Sequence, residues 1–461
     1  YISHLSTAEY PISVQFSATV ALSHFELKGA AKGEKSSLPA SVEYALVPDT
    51  FVGVTPKVVV REGDVVKAGD ALFVSKQRPE MRFASPVSGV VSVVERGERR
   101  KVLSVKVKAD AEQRYADFGA KSPLSLSGGQ VVDALLSSGL FGYINQLPYA
   151  VVADPHDTPK GIFVSALRDM PLSCDFEVEL SGNEAAFQAG LTALSRIAPT
   201  YLGIGASQSS PALTQAKDVE VTVFDGKCPA GNVGVQVNHI SPVNKGEVVW
   251  TVDPTAVIFI GRLMLKGIVD LTRTVAVGGA EVHNPKFVDV KVGAPVADVL
   301  AGELDNTDGK RVINGNPLTG VLASAVAYVG AHTSEITVIP EGDDADELLG
   351  WIMPRCNQFS THRSYFSWLC GKKTYNLDAR VKGGERHMIM SGEYDRVLPM
   401  DIYGEYLIKA IIAGDIDRQE ALGIYEVSPE DFALAEFVDS SKLELQKIVR
   451  QGLDILRKEN A

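Results

Sequence analysis

Two glycine-containing stretches carry residue types that can cradle phosphate. Gly203-Ile204-Gly205-Ala206-Ser207-Gln208 begins like a dinucleotide loop, where glycines let the backbone approach a pyrophosphate, but glutamine stands where the third glycine belongs. It reads as an ordinary turn. Gly371-Lys372-Lys373-Thr374 is similar to the end of a P-loop, yet the position five before it, which needs glycine, is Phe366. The histidines His4, His24, His156, His239, His283, His332, His362 and His387 include no pair at metal-ligand spacing, so each is expected on the surface or as a cap. Cys174, Cys228, Cys356 and Cys370 lie far apart without a Cys-x-x-Cys pair; neither a disulfide framework nor a zinc or iron–sulfur site is signalled, and a reducing compartment fits. Asp343 and Asp344 fall in a polar linker from Glu341 to Glu347, where solvation and helix capping explain them. No Gly-x-Ser-x-Gly is present and no nucleophile has a recognisable base.

Composition narrows the class further. A chain of 461 residues is long enough for about three domains, and 45% hydrophobic with 22% charged residues is ordinary for a globular protein. The 45 basic and 57 acidic side chains leave a net charge of -12, which argues against non-specific nucleic-acid binding. The densest basic run, Arg96-Gly97-Glu98-Arg99-Arg100-Lys101, is expected as a solvated hairpin. The strongest membrane candidate, Ala256 to Leu265, is broken by Gly261 and Arg262 and falls short of the roughly 20 residues that span a bilayer. Any membrane role is therefore expected to be peripheral. The first two dozen residues lack a charged start followed by an apolar core and read as an extension.

The elements that must position any site follow from periodicity and punctuation. Between Val60 and Val91, Gly63-Asp64 and Gly69-Asp70 are turn pairs flanked by β-branched runs, and Pro86 and Gly89 mark another reversal. The segment resembles a biotinyl/lipoyl-type hammerhead. Its tip, Lys76-Gln77-Arg78-Pro79-Glu80, lacks the acceptor lysine motif, so a scaffold is expected instead of a carrier. Helices are expected over Gln130–Leu140, Glu184–Ile197 and Asp253–Leu265, the last with Asp253 as cap and Pro254 at its first position. Strands over Gly161–Ala166 and Val219–Phe224 alternate with them, which suggests a parallel sheet. Short strands at Arg273–Val277, Lys286–Val292 and Ile336–Ile339 surround a helix at Pro295–Ala301, as in a β-grasp. Ser428-Pro429-Glu430-Asp431 is a strong helix start, and Lys442–Lys458 places Leu445, Ile448, Val449, Gly452 and Leu456 on one stripe for a bundle to bury.

This order resembles the NqrA family, whose members are components of the sodium-translocating NADH:quinone oxidoreductase. The resemblance rests on Phe51-Val52-Gly53, Phe83-Ala84-Ser85-Pro86-Val87-Ser88-Gly89, the run from Ala189 to Arg196, Pro229-Ala230-Gly231, the run from Val312 to Gly320, and Glu341 with Leu348-Leu349-Gly350-Trp351. It implies a multidomain α/β and α+β chain: an extension over 1–25, a hammerhead over 26–125, a Rossmann-like α/β domain over 126–271, a β-grasp (SLBB-like) domain over 272–340 and a helical bundle over 341–461. It also implies a peripheral subunit on the cytoplasmic face of a complex that moves electrons from NADH to quinone and exports sodium. Flavins and iron–sulfur centres would sit in partner subunits, with no cofactor in this chain, since Cys356 and Cys370 cannot supply four thiolates. Quinone contact would fall on Phe51, Gly53, Val54, Tyr143, Pro148 and Tyr149, where the alternative is packing between domains. Asn145, Leu147 and Val151 stand where the family usually has basic residues, and Cys228 stands in place of its usual histidine. An autonomous flavin- or NADH-binding oxidoreductase and a lipoyl or biotin carrier modified at Lys76 are the competing readings.

Overall fold

The computed structural model describes residues 12–15, 25–324, 326–343, 352–356, 358–360, 364–370 and 373–460. The histidines His4, His24 and His362, the stretch Leu348 to Trp351, and Gly371 with Lys372 lie outside the described residues.

The hammerhead segment forms two small sheets. One is ordered Glu43–Leu46, Val102–Ala109, Gly89–Arg96, Val65–Val66, and the other Pro56–Val58, Ala71–Ser75, Arg82–Ala84. The paired turns are chemical copies of one another: Asp64 accepts from the Arg61 amide and Asp70 from the Lys67 amide, each at 2.7 Å. Gly63 and Gly69 hold φ of +91° and +101°, which side-chain-bearing residues rarely adopt, so the glycine before each aspartate is required by the turn.

The second unit is a sheet of seven strands ordered Ile12–Gln15, Glu220–Asp225, Thr200–Gly205, Ile162–Ser165, Val249–Val252, Ile144–Leu147, Val151–Val152. The first five run parallel, as the strand–helix alternation predicts, and the last two are antiparallel additions. The first strand comes from the stretch read as an extension; it pairs along one sheet edge, Ile12 opposite Thr222. Helices Glu184–Ser195 and Pro254–Lys266 cross closely. A Cβ on Gly190 would stand 2.1 Å from the Val257 carbonyl oxygen and one on Gly261 1.6 Å from that of Ala186, so each helix uses a glycine at the crossing.

A mixed sheet follows, ordered Val321–Leu322, Lys310–Asn314, Glu335–Pro340, Thr272–Gly278, Lys286–Lys291, Lys35–Ser37, with the short helix Val296–Val299. Its last strand comes from the start of the hammerhead region, ahead of the two small sheets, which ties the first and third units together. Toward the C-terminus, helices Gly404–Ala413, Ile416–Ala421, Ala433–Val438 and Leu445–Glu459 share a core of Leu407, Ile408, Leu434, Leu445, Val449, Leu453 and Leu456. The last helix buries Leu445, Val449, Gly452 and Leu456 of the anticipated stripe, adds Leu453, and leaves Ile448 half-buried. Ser428 and Asp431 make the expected reciprocal cap, but over a single 3-10 turn, Pro429–Phe432.

Candidate functional site

Where these units meet they enclose a cavity of about 650 Å³. One wall is the hammerhead loop from Asp49 to Val52, and another is the carboxyl ends of two parallel strands, which continue into Leu167-Arg168-Asp169-Met170 and Val252-Asp253-Pro254. The mixed sheet adds Asn314–Asn316 and His332–Glu335, and the helical region adds Glu430, Gln446 and Arg450. Space outside the carboxyl ends of parallel strands is where α/β sheets bind ligands, because neighbouring connections diverge there.

A buried ion network braces one side. Arg168 donates to Glu179 at 2.9 Å, to Asp253 at 3.2 Å and to the Thr255 hydroxyl at 2.7 Å. Glu179 also accepts from the Thr255 hydroxyl at 2.8 Å and the Thr274 amide at 3.1 Å. Burial alone would raise the Asp253 carboxyl, but Arg168 and Arg273 outweigh it and hold it below its ordinary value. Asp253 meanwhile caps its helix as predicted, accepting from the Thr255 amide at 2.8 Å.

Other carboxyls shift the opposite way. Burial pushes Asp169 up to about 6 despite a bond from the Gly231 amide. It pushes Glu430 up to about 8, helped by the like charges of Asp431, Glu335, Asp169 and Asp253. Glu430 lines the cavity and is exposed to it, with protein packed closely around. It also keeps the first-turn position expected of it, while Asp431 does the capping. The sign of the pH effect follows. The folded state holds the Glu430 proton up to about pH 8 and the unfolded chain releases it near the ordinary 4.5, so stability falls as pH rises across that window. Glu430→Gln is expected to flatten the profile and to gain on wild type between pH 6 and pH 8.5 in urea midpoints; a constant gap between the two proteins would refute it.

None of the six residues expected at the quinone site lines this cavity, although Thr50, Val52, Asn145 and Ala150, close to them in sequence, do. Phe51 and Tyr143 meet edge-on at 5.6 Å, and both contact the ring of His332, at 5.9 and 5.6 Å, which does line the cavity. Val54 packs partly buried against the same core. Gly53, at φ +83°, abuts Val151 and the Arg457 side chain. Pro148 follows a cis peptide bond, and Tyr149 and Ala150 take left-handed backbone, φ +81° and +48°. Their carbonyls accept from Arg450 at 2.7 and 3.0 Å, so one guanidinium holds both strained residues. His332 corrects the expectation of a surface or capping histidine. Burial drops it to about 4, its Nε2 has no hydrogen-bond partner, and its ring is wedged between aromatics.

The remaining sequence candidates separate clearly. Gly205 closes an ordinary turn, its amide bonded to the Gln208 side chain at 2.8 Å, and the Gln236 carboxamide fills the space beside Gly203. The hammerhead tip is latched to the α/β unit by the Arg78–Asp154 ion pair and by His156 to Glu80 at 3.2 Å. Cys174 and Cys228 are free, and burial pushes both thiols well up. Among the described residues no group of three His, Cys, Asp or Glu side chains could hold a metal ion, and no helix is long and apolar enough to cross a membrane. Arg168, Asp169, His332 and Glu335 were missed in the sequence; for Arg168 and Asp169 the available signal was charge shortly after the apolar strand Ile162–Ser165, while His332 and Glu335, at the start of the strand Glu335–Pro340, carried none.

Comparison with known proteins gives these units a class. The family profile described as the NqrA N-terminal barrel-sandwich hybrid domain matches residues 23–110, the NqrA second alpha/beta domain matches 126–269, and the NQRA C-terminal domain matches 274–325. The chain is thus a mixed α/β protein assembled from three such modules. The corresponding Na(+)-translocating NADH-quinone reductase chain of Pasteurella multocida is 36% identical over 91% of this chain and 94% of its own length. That of Yersinia pestis is 34% identical over 91% and 95%. This chain belongs to the NqrA family of the Na(+)-translocating NADH-quinone reductase. Among solved structures, a crystal structure of the NAD+-reducing NiFe hydrogenase aligns with TM-score 0.34 and 14% identity over 66% of this chain and 55% of that chain, too slight a likeness to bear on function.

Proposed function

We propose that this chain is a peripheral subunit, on the cytoplasmic face, of a complex that passes electrons from NADH to quinone and exports sodium. In this reading it binds no redox cofactor, leaves flavins and iron–sulfur centres to its partners, and touches the membrane only through them. Family membership at 34–36% identity along nine tenths of the chain supports the assignment.

The observation that carries the finer reading is the junction of Phe51, Tyr143 and His332 at the wall of the central cavity. Its volume is within the range of small-molecule sites. A quinone ring is neutral and flat, so it tolerates the acidic lining and can stack or pack edge-on against aromatics. We assign its contact region to the segments that carry Phe51, Gly53, Val54, Tyr143, Pro148 and Tyr149, whose neighbours Thr50, Val52, Asn145 and Ala150 line the cavity. A flavin or dinucleotide pocket is disfavoured. The lining sets Asp49, Asp169, Asp253 and Glu335 against Arg168 and Arg450, a poor environment for phosphate, and the glycine turn is already filled by Gln208 and Gln236. A lipoyl or biotin carrier needs a free tip, whereas this one is pinned by Arg78.

The test is photo-crosslinking of a quinone analogue in the whole complex, followed by peptide mapping. Label is expected on the peptides containing Phe51 or Tyr143–Tyr149. Label confined to other subunits would reject the site.

A further inference from the structure

The hairpin from Gly89–Arg96 to Val102–Ala109 ends in a turn whose backbone is costly for its side chains. Arg99 and Arg100 hold φ of +52° and +61°, the left-handed region in which consecutive residues of a tight hairpin are best filled by Asn-Gly. The two arginines are exposed, and among the described residues neither guanidinium has an ion-pair partner, although the chain carries 57 acidic side chains. Arg96 is exposed beside them and donates to the Arg100 carbonyl at 3.3 Å. Lys101 reaches Asp49 at 2.6 Å. That pair fixes the tip beside the loop that forms one wall of the cavity and leads into Phe51. Val93 and Leu103, on the two strands of the hairpin, are 40% and 38% exposed and add apolar surface near the charges.

We propose that the Arg96–Lys101 tip is a docking point for an acidic segment of a neighbouring subunit, held by carboxylate forks on Arg99 and Arg100. The inference rests on the reading of this chain as part of a multi-subunit complex. Arginine suits the role because its planar donors bind a carboxylate in two places and its weak hydration makes burial at an interface cheaper than for lysine. An acidic partner is favoured by charge complementarity: the tip is a compact positive feature on a chain of net charge -12. The Lys101–Asp49 pair would place that partner next to the cavity wall.

The test uses the assembled complex. Arg99→Asn with Arg100→Gly removes both charges and relieves the backbone, so the isolated chain is expected to melt no lower than wild type. Its dissociation from the complex should be about tenfold faster, seen as release at an earlier step of a salt wash. Arg99→Gln with Arg100→Gln keeps the strained turn and loses the same charges, and the same early release is expected, which separates charge from backbone effects. Retention equal to wild type for both variants overturns the proposal. So does salt-sensitive binding of the isolated chain to phosphatidylglycerol vesicles, lost in the variants, when complex retention is unchanged; that result would assign the tip to lipid headgroups. If wild-type chain is not retained on the complex even at low salt, the subunit reading fails, and the docking proposal with it.

Discussion

Phe51→Ala should destabilise the protein by about 3–5 kcal/mol, the range for deleting a fully buried aromatic side chain. The ring is 2% exposed and lies 4.6 Å from Phe83, 5.6 Å from Tyr143, 5.9 Å from His332 and 6.3 Å from Phe73. Its four partners come from the hammerhead, the α/β unit and the mixed sheet, so the cavity left behind cannot collapse by moving one element. Phe83 is already pressed against Gly142, where a Cβ would stand 2.4 Å from the ring, and that backbone cannot follow. Phe51→Leu keeps most of the volume and is expected to cost under about 1.5 kcal/mol. Urea unfolding followed by fluorescence and by hydrogen exchange checks both; an alanine variant within about 1 kcal/mol of wild type would mean that the rings are neighbours without being a joint. Because Thr50 and Val52 line the cavity on either side of Phe51, the same substitution should also lower quinone photolabelling, which Phe51→Leu should largely preserve.

That joint shows what the sequence made legible. Local chemistry was readable: Asp253 and Pro254 start their helix, and the two Gly-Asp turns are where they were expected. Each depends only on residues a few positions apart. The cavity depends on residues that converge from distant parts of the chain, so no window of sequence contains it. Phe51, Tyr143 and His332 illustrate the difference. Family resemblance pointed to the first two, but only the fold shows that His332 joins them. Glu430 was visible as a member of a capping motif, yet Ser428 and Asp431 complete that motif without it. Likewise the basic run at Arg96–Lys101 was legible as a hairpin, while the left-handed backbone of its two arginines was not.

Removing Arg168 should have an effect as large as removing Phe51, by a different route. Arg168→Met keeps much of the side chain's length and its packing near the Phe176 ring, 5.3 Å away, but deletes the charge. Glu179, whose side chain is 2% exposed, then loses its ion-pair partner while Asp253 keeps only Arg273, and an uncompensated buried carboxylate costs about 3–5 kcal/mol. The bonds to Glu179 from Thr255 and Thr274 remain, and they soften the loss without supplying charge. The stranded carboxylate would relieve itself by binding a proton, so the penalty should shrink as pH falls from 8 to 5. A second substitution, Glu179→Gln, should recover a large part of the loss even though it adds no attraction, because the cost lies in unpaired charge and not in a missing contact. Urea midpoints of the wild type, both single variants and the double variant at the two pH values close this cycle. Additive losses, or a penalty independent of pH, would show that Arg168 acts through packing; coupling of the expected sign would show that this wall of the cavity stands because its charges are matched, whereas burial without such a counter-ion pushes the nearby Asp169 and Glu430 carboxyls up.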